Sequence, residues 1–326
     1  MTLRSPARRL LVAALAACAL PLAAAEWQPT KPIRFVVPFA PGGTSEIVAR
    51  SVAQELSTQL GQAVYVENKA GGAGTIAMMD VKNAAADGYT IVLGHVGTLA
   101  VNPYAMKNHP YDVNRDFVPV GLLARVPNIF VVNAETVKAK DLKEFIAAAK
   151  AQPGKLNYGT AGNGSSGHLA FEYLKMVSGA DIQHVPYKGT GPMLQDLLGG
   201  RIEASNAGAP ALLSHIRSGK LRAIAVGSDK RIPALPDVGT VAEAGYPGFE
   251  TSQWYGVMVK AGTPPEVIKR LNAEINKALQ SSQVTQRYAT DNAVAEIGTP
   301  EQFGAFIARE QARWKDVVKK ADIKIE

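Results

Sequence analysis

The segment PIRFVVPFAPGGTSEIVARSVAQELSTQL, residues 32–60, decides the fold class because its hydrophobic period changes halfway along. Residues 33–40 form a β-rich apolar stretch, whereas residues 47–60 carry apolar side chains at three- to four-residue spacing. The first pattern predicts a strand and the second a helix, with a proline- and glycine-rich turn between them. A strand that passes through a short turn into a helix is the first half of a parallel βαβ crossover.

The alternation of strand and helix patterns continues to the end of the chain. Further strands are predicted at residues 62–68, 89–95, 129–133, 155–160, 182–187, 202–206, 221–226 and 249–262, and further helices around 78–86 and at 142–151, 168–178, 192–200, 265–281, 282–291 and 300–320. Strands that alternate with helices predict an α/β protein in which each lobe is a mainly parallel sheet flanked by helices.

The chain makes this pattern in two passes. It crosses from the first group of units to the second near residues 124–128 and returns near 248–254. The predicted lobes are therefore residues 26–125 plus 250–326, and residues 126–249. Ligands of open parallel sheets bind off the carboxyl ends of the strands, where helices begin. Two such lobes joined by two crossings predict a hinged clamp with a ligand cleft between the lobes.

The first 25 residues have the pattern of a signal peptide. Three arginines precede the apolar run LLVAALAACALPLAAA, residues 10–25, which is too short to span a membrane with polar flanks. The single cysteine, Cys18, follows Leu-Ala-Ala as in a lipoprotein processing site, but apolar sequence continues beyond it. We therefore expect export to the periplasm with cleavage after Ala25, and lipid attachment at Cys18 is the alternative.

Composition narrows the class of protein. The chain has 326 residues, 47% apolar and 19% charged, which supports a core larger than that of one average domain and excludes a disordered tail protein. Its formal net charge of +7 includes three arginines of the predicted leader, and the remaining lysines and arginines alternate with acids. This pattern indicates solvated surface rather than a nucleic-acid site, while the mild positive bias suits an anionic ligand.

Two loops at corresponding places in the lobes carry the residues best suited to binding. The first, PFAPGGTSE at 38–46, and the second, YGTAGNGSSGH at 158–168, each follow a strand and lead into a helix. Glycines let backbone N–H groups approach a ligand, and Thr or Ser either caps the helix or donates a hydroxyl. An ordinary capped turn is the alternative for each loop taken alone. Together they predict that the cleft holds two carboxylates, or one carboxylate from both sides.

Signatures of cofactor and metal binding are weak. Gly162, Gly164 and Gly167 have the G-x-G-x-x-G spacing of dinucleotide-binding turns, but the next strand ends at Val-Pro-Tyr-Lys without an acid for a ribose. The five histidines are scattered without the spacing of metal ligands. No cofactor and no metal are therefore expected.

An exported serine hydrolase is the alternative function. It would use Ser165 or Ser166 as nucleophile and His168 as base. Gly164-Ser165-Ser166-Gly167 misses the G-x-S-x-G spacing by one residue, and no orienting acid is evident nearby. The sequence therefore favours binding over catalysis.

Other residues lie where strands of the predicted cleft end. His95 ends a strand, and it is either a ligand contact or a structural histidine. Tyr187 and Lys188, in VPYKGTGP at 185–192, either line the mouth of the cleft or make a packed turn. Trp254 and Tyr255 belong to the predicted returning strand, as core residues or as a stacking wall for a ligand.

With these loops in place, eight segments in register resemble the tripartite tricarboxylate transporter substrate-binding family, the Bug or TctC-type proteins. They are PIRFVVPFAPGG (32–43), VENKAGGAGTIA (66–77), DGYTIVLG (87–94), NPYAMKNHPYDVNRDFVPVGLLARVPNIFVVN (102–133), PGKLNYGTAGNGSSGHLAFE (153–172), HVPYKGTGP (184–192), GKLRAIAVGSDKR (219–231) and ALPDVGTVAEAGYPGFE (234–250). The resemblance covers essentially the whole chain after the leader.

The resemblance implies a two-domain periplasmic binding fold, type II-like, that closes on a small organic acid, a di- or tricarboxylate or an aromatic acid. It implies the permease subunits of a tripartite tricarboxylate transporter as partners, a sensor kinase as an alternative partner, and a monomeric receptor rather than an enzyme. The carboxylate-holding positions carried over by the match are Ala40, Gly42, Gly43, Thr44 and Ser45 in the first loop and Thr160, Ala161, Gly162, Asn163, Ser165 and Ser166 in the second.

The chain departs from the family pattern at three places that affect the ligand. Glu46 stands where the family often has Asp, Ala207 stands where an aspartate is usual, and His95 replaces a small hydroxyl residue. The missing acid at Ala207 argues against a ligand with an ammonium group. The sequence therefore predicts a carboxylate ligand without identifying it.

Overall fold

A computed structural model describes residues 27–325. The predicted signal peptide and Cys18 lie outside these residues. Within the described range, no helix combines the length and the apolar character needed to cross a membrane.

The structure alternates strands with helices, as the sequence patterns predict. The strands are β1 (Ile33–Val37), β2 (Val64–Asn68), β3 (Thr90–His95), β4 (Phe117–Asn133), β5 (Asn157–Thr160), β6 (Gln183–Pro186), β7 (Ala204–Gly208), β8 (Leu221–Val226), β9 (Ser252–Lys260) and β10 (Val294–Ala295). The α-helices are α1 (Thr44–Leu60), α2 (Thr75–Lys82), α3 (Asn102–Ala105), α4 (Val113–Asp116), α5 (Leu142–Ala151), α6 (Ser166–Ser178), α7 (Thr190–Leu198), α8 (Ala209–Arg217), α9 (Pro265–Leu279), α10 (Ser282–Asp291) and α11 (Pro300–Lys320).

The sheet is continuous and mixed, in the order β2-β1-β3-β9-β4-β7-β5-β6, with β8 and β10 also paired to β4. Strands within the βαβ units are parallel: β1 pairs with β2 and β3, and β5 pairs with β6 and β7. The strands that link these units, β4, β8 and β9, pair in antiparallel fashion. The α/β class and the flanking helices are thus as predicted.

Strand β4 belongs to both halves of the sheet. Over Phe117–Pro127 it pairs with β9, and over Asn128–Val132 it pairs with β7. We define the first lobe by β1, β2, β3, β9, β10 and the first part of β4, and the second lobe by β5 to β8 and the last part of β4. The sequence predicts a strand only at residues 129–133. In the structure the strand has 17 residues, and the chain crosses between the lobes within it. The lobe boundaries at residues 126 and 250 stay a prediction.

The opening segment folds as its change of period requires. Helix α1 buries Val48, Val52 and Leu56 completely, one side chain per turn, against the buried residues of β1. Gly61, at φ +64°, ends the helix in the left-handed conformation that glycine adopts without strain. Burial of this face fixes the strand–turn–helix unit, and the turn is thereby held at the edge of the sheet.

Hydrophobic cores cover both faces of each half of the sheet. In the first lobe, Phe35 and Val37 face the α1 and α9 side, whereas Val36 faces the side of α2 and α11. In the second lobe, Phe130 and Val131 likewise point to opposite cores. Since the sheet is covered on both faces, only its edges and strand ends are open to a ligand.

Candidate functional site

A small cavity lies between the lobes, where helices α1, α6 and α7 begin. Its volume is about 20 Å³, which is close to the space of one water molecule. It is lined by Phe39, Ser45, His95, Val96, Ala161, Ser165, Ser166, Gly167, Thr190, Asn206, Ala207, Gln253, Trp254 and Tyr255. Among these lining residues there is no Asp, Glu, Lys or Arg, so the wall of the cavity is polar but uncharged.

The first predicted loop places Phe39 and Ser45 in this wall, and further residues of the loop have structural contacts. Thr44, also buried, directs its hydroxyl to the carbonyl oxygen of Gly208 at 3.4 Å. The N–H of Gly42 donates to Glu46 Oε2 at 2.6 Å, and Gly42 has φ +89°, a conformation that favours glycine. Gly43 is the N-cap residue of α1, without a side chain to cap it.

The second predicted loop places Ala161, Ser165, Ser166 and Gly167 in the wall. Ser165 is the N-cap residue of α6 and accepts from the N–H of His168 at 3.4 Å. Upstream, the hydroxyl of Thr160 accepts from the N–H of Gly162 at 3.2 Å and lies 2.7 Å from His184 Nε2. Thr160, Gly162 and the half-buried Asn163 lie outside the cavity lining.

Tyr187 and Lys188 also lie outside the lining. The Tyr187 hydroxyl donates to Asp196 Oδ2 at 2.7 Å, and burial together with this carboxylate raises the pKa of Tyr187 to about 12. The carbonyl oxygen of Lys188 accepts from the N–H of Ala40 at 2.8 Å. Their segment contributes Thr190 instead, the first residue of α7. All of these positions remain predictions as ligand contacts.

His95 is buried in the cavity wall with one ring nitrogen engaged. Its Nδ1 accepts a hydrogen bond from the N–H of Gly97 at 3.0 Å, and its ring packs on Phe39 with centroids 4.7 Å apart. Burial lowers the pKa of His95 to about 3, so the ring is neutral. Because Nδ1 is an acceptor, the proton is on Nε2. That N–H has no partner among residues 27–325.

Asn206, also in the wall, has two fully buried polar side-chain atoms without a partner. It lies in β7 with 1% of its surface exposed, and neither amide atom has a hydrogen-bond partner within the described chain. The sequence identifies Ala207 as a position that affects the ligand, but it does not predict a role for the Asn206 amide. The Asn206 side chain lies in the cavity wall because of the strands beside β7 and the start of α6, and no local sequence pattern predicts these neighbours.

Trp254 and Tyr255 do reach the cavity. The indole Nε1 of Trp254 donates to Glu310 Oε2 at 2.8 Å, so α11 fixes the orientation of its ring. The hydroxyl of Tyr255 donates to Gln253 Oε1, which gives both polar groups a partner. The two aromatic rings therefore form a wall of the cavity on the returning strand, and hydrogen bonds fix their orientation.

The geometry does not support the hydrolase alternative. The hydrogen bond between Ser165 and His168 joins the serine hydroxyl to the backbone N–H of His168, which is a helix cap rather than a nucleophile–base pair. His168 Nδ1 accepts from the N–H of Gly164 at 3.3 Å, and its ring stacks on His184. Within residues 27–325 no group of three or more His, Cys, Asp or Glu side chains could hold a metal ion.

Comparisons with known proteins agree with this architecture. Residues 48–323 match the family described as Tripartite tricarboxylate transporter family receptor. Protein BugT of Bordetella pertussis is 42% identical over 314 residues, 96% of each chain. A solved structure titled R. palustris Rpa4515 with adipate is 38% identical with a TM-score of 0.88, covering 91% of this chain and 99% of that one.

A second solved structure, MatC from Rhodopseudomonas palustris with bound malate, is 34% identical with a TM-score of 0.85. It covers 89% of this chain and 99% of that one. These neighbours are two-lobed periplasmic binding proteins, and the relatives are receptors rather than enzymes. The chain therefore belongs to the tripartite tricarboxylate transporter receptor family of periplasmic solute-binding proteins.

Proposed function

We propose that this protein is an extracytoplasmic receptor that captures a small organic carboxylate between its lobes for a tripartite tricarboxylate-type permease. The observation that carries the proposal is the uncharged cavity at the starts of α1, α6 and α7, with His95 and Asn206 buried in its wall and without partners. Buried polar groups normally have hydrogen-bond partners, so unpartnered ones in a cavity wall point to a ligand.

The cavity suits an anion although no cationic side chain lines it. The start of a helix presents free N–H groups and about half a positive charge. Here three helices begin around one space, at Thr44, Ser166 and Thr190. The acid nearest to the first of these, Glu46, is held by the N–H of Gly42 and by Arg50 at 2.7 Å. Main-chain amides and hydroxyls would thus bind the carboxylate.

The lobes act as a clamp in this proposal. A cavity of about 20 Å³ is too small to admit an organic acid as it stands, so the lobes must separate before they close around the ligand. A ligand that contacts both lobes stabilises the closed arrangement by the contacts that the open one lacks. Two similar solved proteins are described with adipate and with bound malate, which supports a dicarboxylate or a similar acid here.

Export and partnership belong to the same proposal. We expect a monomer that delivers its ligand to permease subunits, with a sensor kinase as the alternative partner. Cleavage of the predicted signal peptide after Ala25 would give a mature protein that begins at Glu26. Intact-mass measurement of the protein from the periplasm tests this, and a lipid-modified Cys18 at the N-terminus would contradict it.

Binding is tested by thermal unfolding of the mature protein with a panel of mono-, di- and tricarboxylates, including aromatic acids. The neutral amides of the same acids are the controls. The protein is first unfolded and refolded to remove any co-purified ligand. A ligand at 100 times its Kd raises the free energy of unfolding by about 2.7 kcal/mol. A rise in Tm for one class of acid and not for its amides is expected, and a flat response to all of them would overturn the proposal.

A further inference from the structure

The unpartnered atoms in the cavity wall describe the ligand more closely than its charge does. His95 presents one donor, Nε2–H, because the N–H of Gly97 occupies Nδ1. Asn206 presents donors on Nδ2 and an acceptor, Oδ1, none of which has a partner in the described chain. Both side chains are more than nine-tenths buried, at 4% and 1% exposure. These two side chains therefore offer donors together with one acceptor, Asn206 Oδ1, to which no hydroxyl of the lining donates in this structure.

A carboxylate satisfies only the donors of these two side chains. Ionised carboxylate oxygens accept hydrogen bonds and have none to give. They can pair with His95 Nε2–H and with Asn206 Nδ2, but Asn206 Oδ1 stays unpaired when the lobes close over it. A buried acceptor left unpaired weakens binding roughly five- to a hundred-fold relative to a paired one. A ligand with an uncharged donor removes this loss.

An ammonium group is the other donor that an organic acid can carry, and the wall is unsuited to it. Its lining has no Asp or Glu, and Ala207 beside Asn206 adds no polar atom. The starts of three helices also give the space a positive potential. An ammonium ion there would be a buried charge without a counter-ion. A hydroxyl, in contrast, both donates and accepts without a net charge.

We propose that Asn206 and His95 make this receptor selective for hydroxycarboxylates, with the ligand hydroxyl donating to Asn206 Oδ1 and the His95 Nε2–H donating to a ligand oxygen. This inference rests on the proposed function and goes beyond it, because it separates acids of equal length and charge. The receptor should bind a hydroxy acid more tightly than the same acid without the hydroxyl. It should also bind it more tightly than the amino acid that has an amino group in place of the hydroxyl.

The test is calorimetric titration of the refolded wild-type protein with sets of acids that share a carbon skeleton. One set is malate, succinate and aspartate; the others are lactate, propionate and alanine, and citrate and tricarballylate. In the set whose carbon skeleton fits the cleft, the hydroxy acid should bind at least about tenfold more tightly than the other acids of that set. Equal affinity for the hydroxy and deoxy acids would overturn the selectivity and leave the proposed function standing. Absence of binding by every acid would overturn the proposed function itself.

Two variants then assign the effect to the residues. Asn206→Leu keeps the size of the side chain and removes its polar atoms, so the hydroxy and deoxy acids should bind with affinities within about twofold of each other. His95→Phe removes a donor that both acids use, so both should lose affinity and their ratio should stay. A ratio in Asn206→Leu that equals the wild-type ratio, in a protein with the wild-type circular dichroism spectrum, would overturn the role of Asn206.

Discussion

The backbone N–H of Ala40 donates to the carbonyl oxygen of Lys188 at 2.8 Å, and this bond joins the first-lobe loop directly to the second lobe. Beside it, the loops pack glycine against glycine. The Cα atom of Gly191 lies so close to Gly42 that a Cβ added to Gly42 would be 3.2 Å from it. Closure therefore brings main chain against main chain, and the absence of side chains at these glycines permits it.

Gly191→Ala should prevent full closure without damage to either lobe. A Cβ on Gly191 would lie 2.2 Å from the carbonyl oxygen of Pro41, a backbone atom of the other lobe that cannot easily move. Gly191 is the second residue of α7 and has a negative φ, so alanine fits its backbone conformation. We expect the affinity for the acid to fall at least about tenfold while Tm without ligand does not fall.

Gly304→Ala is the matched control for this variant. Gly304 lies inside α11, and a Cβ there would meet only Pro119 Cγ at an ordinary 3.4 Å. Titration calorimetry and thermal unfolding of both variants check the prediction. Wild-type affinity in Gly191→Ala would mean that the bound state does not bring α7 against the first loop.

Trp254 should report ligand binding by its fluorescence. It is one of three tryptophans in the chain, it lines the cavity, and Glu310 Oε2 accepts from its indole Nε1. Trp314 donates to the same oxygen at 3.3 Å but lies outside the lining. We expect a change in emission on addition of ligand that Trp254→Phe abolishes and Trp314→Phe preserves.

The first variant also separates reporting from stability. Trp254→Phe removes a hydrogen bond to the half-buried carboxylate of Glu310, and the free energy of unfolding should fall by about 1–3 kcal/mol. Urea titration measures that loss independently of the emission change. A ligand-dependent change that survives in Trp254→Phe would show that the signal comes from elsewhere in the protein.

The opening unit could be predicted from sequence, whereas the long strand could not. Burial of α1 and β1 depends on side-chain period alone, which residues 33–60 display clearly. Strand β4 contains Pro119, Gly121 and Pro127, which weaken a strand pattern. The structure accommodates the first two by a register shift between Pro119 and Gly121. Pairing with neighbouring strands overrides the local propensity there.

The site divides in the same way. Ser45 and Ser165 could be predicted because a strand–turn–helix unit places its capping residues at the edge of the sheet whatever surrounds it. Thr190 and Asn206 could not, because their exposure to the cavity depends on which strands are neighbours. Tyr187 looked equally suitable in the sequence, but the nearby Asp196 engages its hydroxyl.

The buried His168 should make stability depend on pH between about 4 and 6.5. Burial lowers the pKa of His168 to about 4, while the neighbouring Glu172 opposes this and Lys175 adds to it. In the unfolded chain His168 has an ordinary pKa near 6.5, so below that pH it binds a proton that it does not bind in the folded protein. The stabilising contribution is therefore present above pH 6.5 and is lost as the pH falls toward 4, by up to about 1.4 kcal/mol per pH unit.

Urea unfolding at several pH values measures this slope. His168→Asn keeps an acceptor for the N–H of Gly164 and cannot titrate, so its slope should be smaller than that of the wild type by up to one proton. His215→Asn, at a half-buried position, should change the slope less. An unchanged slope in His168→Asn would mean that this histidine is protonated in the folded protein.

Thr160 should position the second binding loop through its hydroxyl. This side chain is fully buried, accepts from the N–H of Gly162 at 3.2 Å and meets His184 Nε2 at 2.7 Å. Thr160→Val keeps the shape of the side chain and leaves both groups without that partner. The free energy of unfolding should fall by about 1–3 kcal/mol, and the affinity for the acid should fall as the loop shifts.

Thr290→Val is the control, because Thr290 is exposed on α10 and bonds only within its helix. Its stability should stay within about 0.5 kcal/mol of the wild type. Urea unfolding and titration calorimetry on both variants distinguish two roles for Thr160. If Thr160→Val is destabilised but binds the acid with wild-type affinity, the hydroxyl supports the lobe and does not set the geometry of the loop. Loss of both together follows if Gly162 and the cavity residues Ala161 and Ser165 move as one unit.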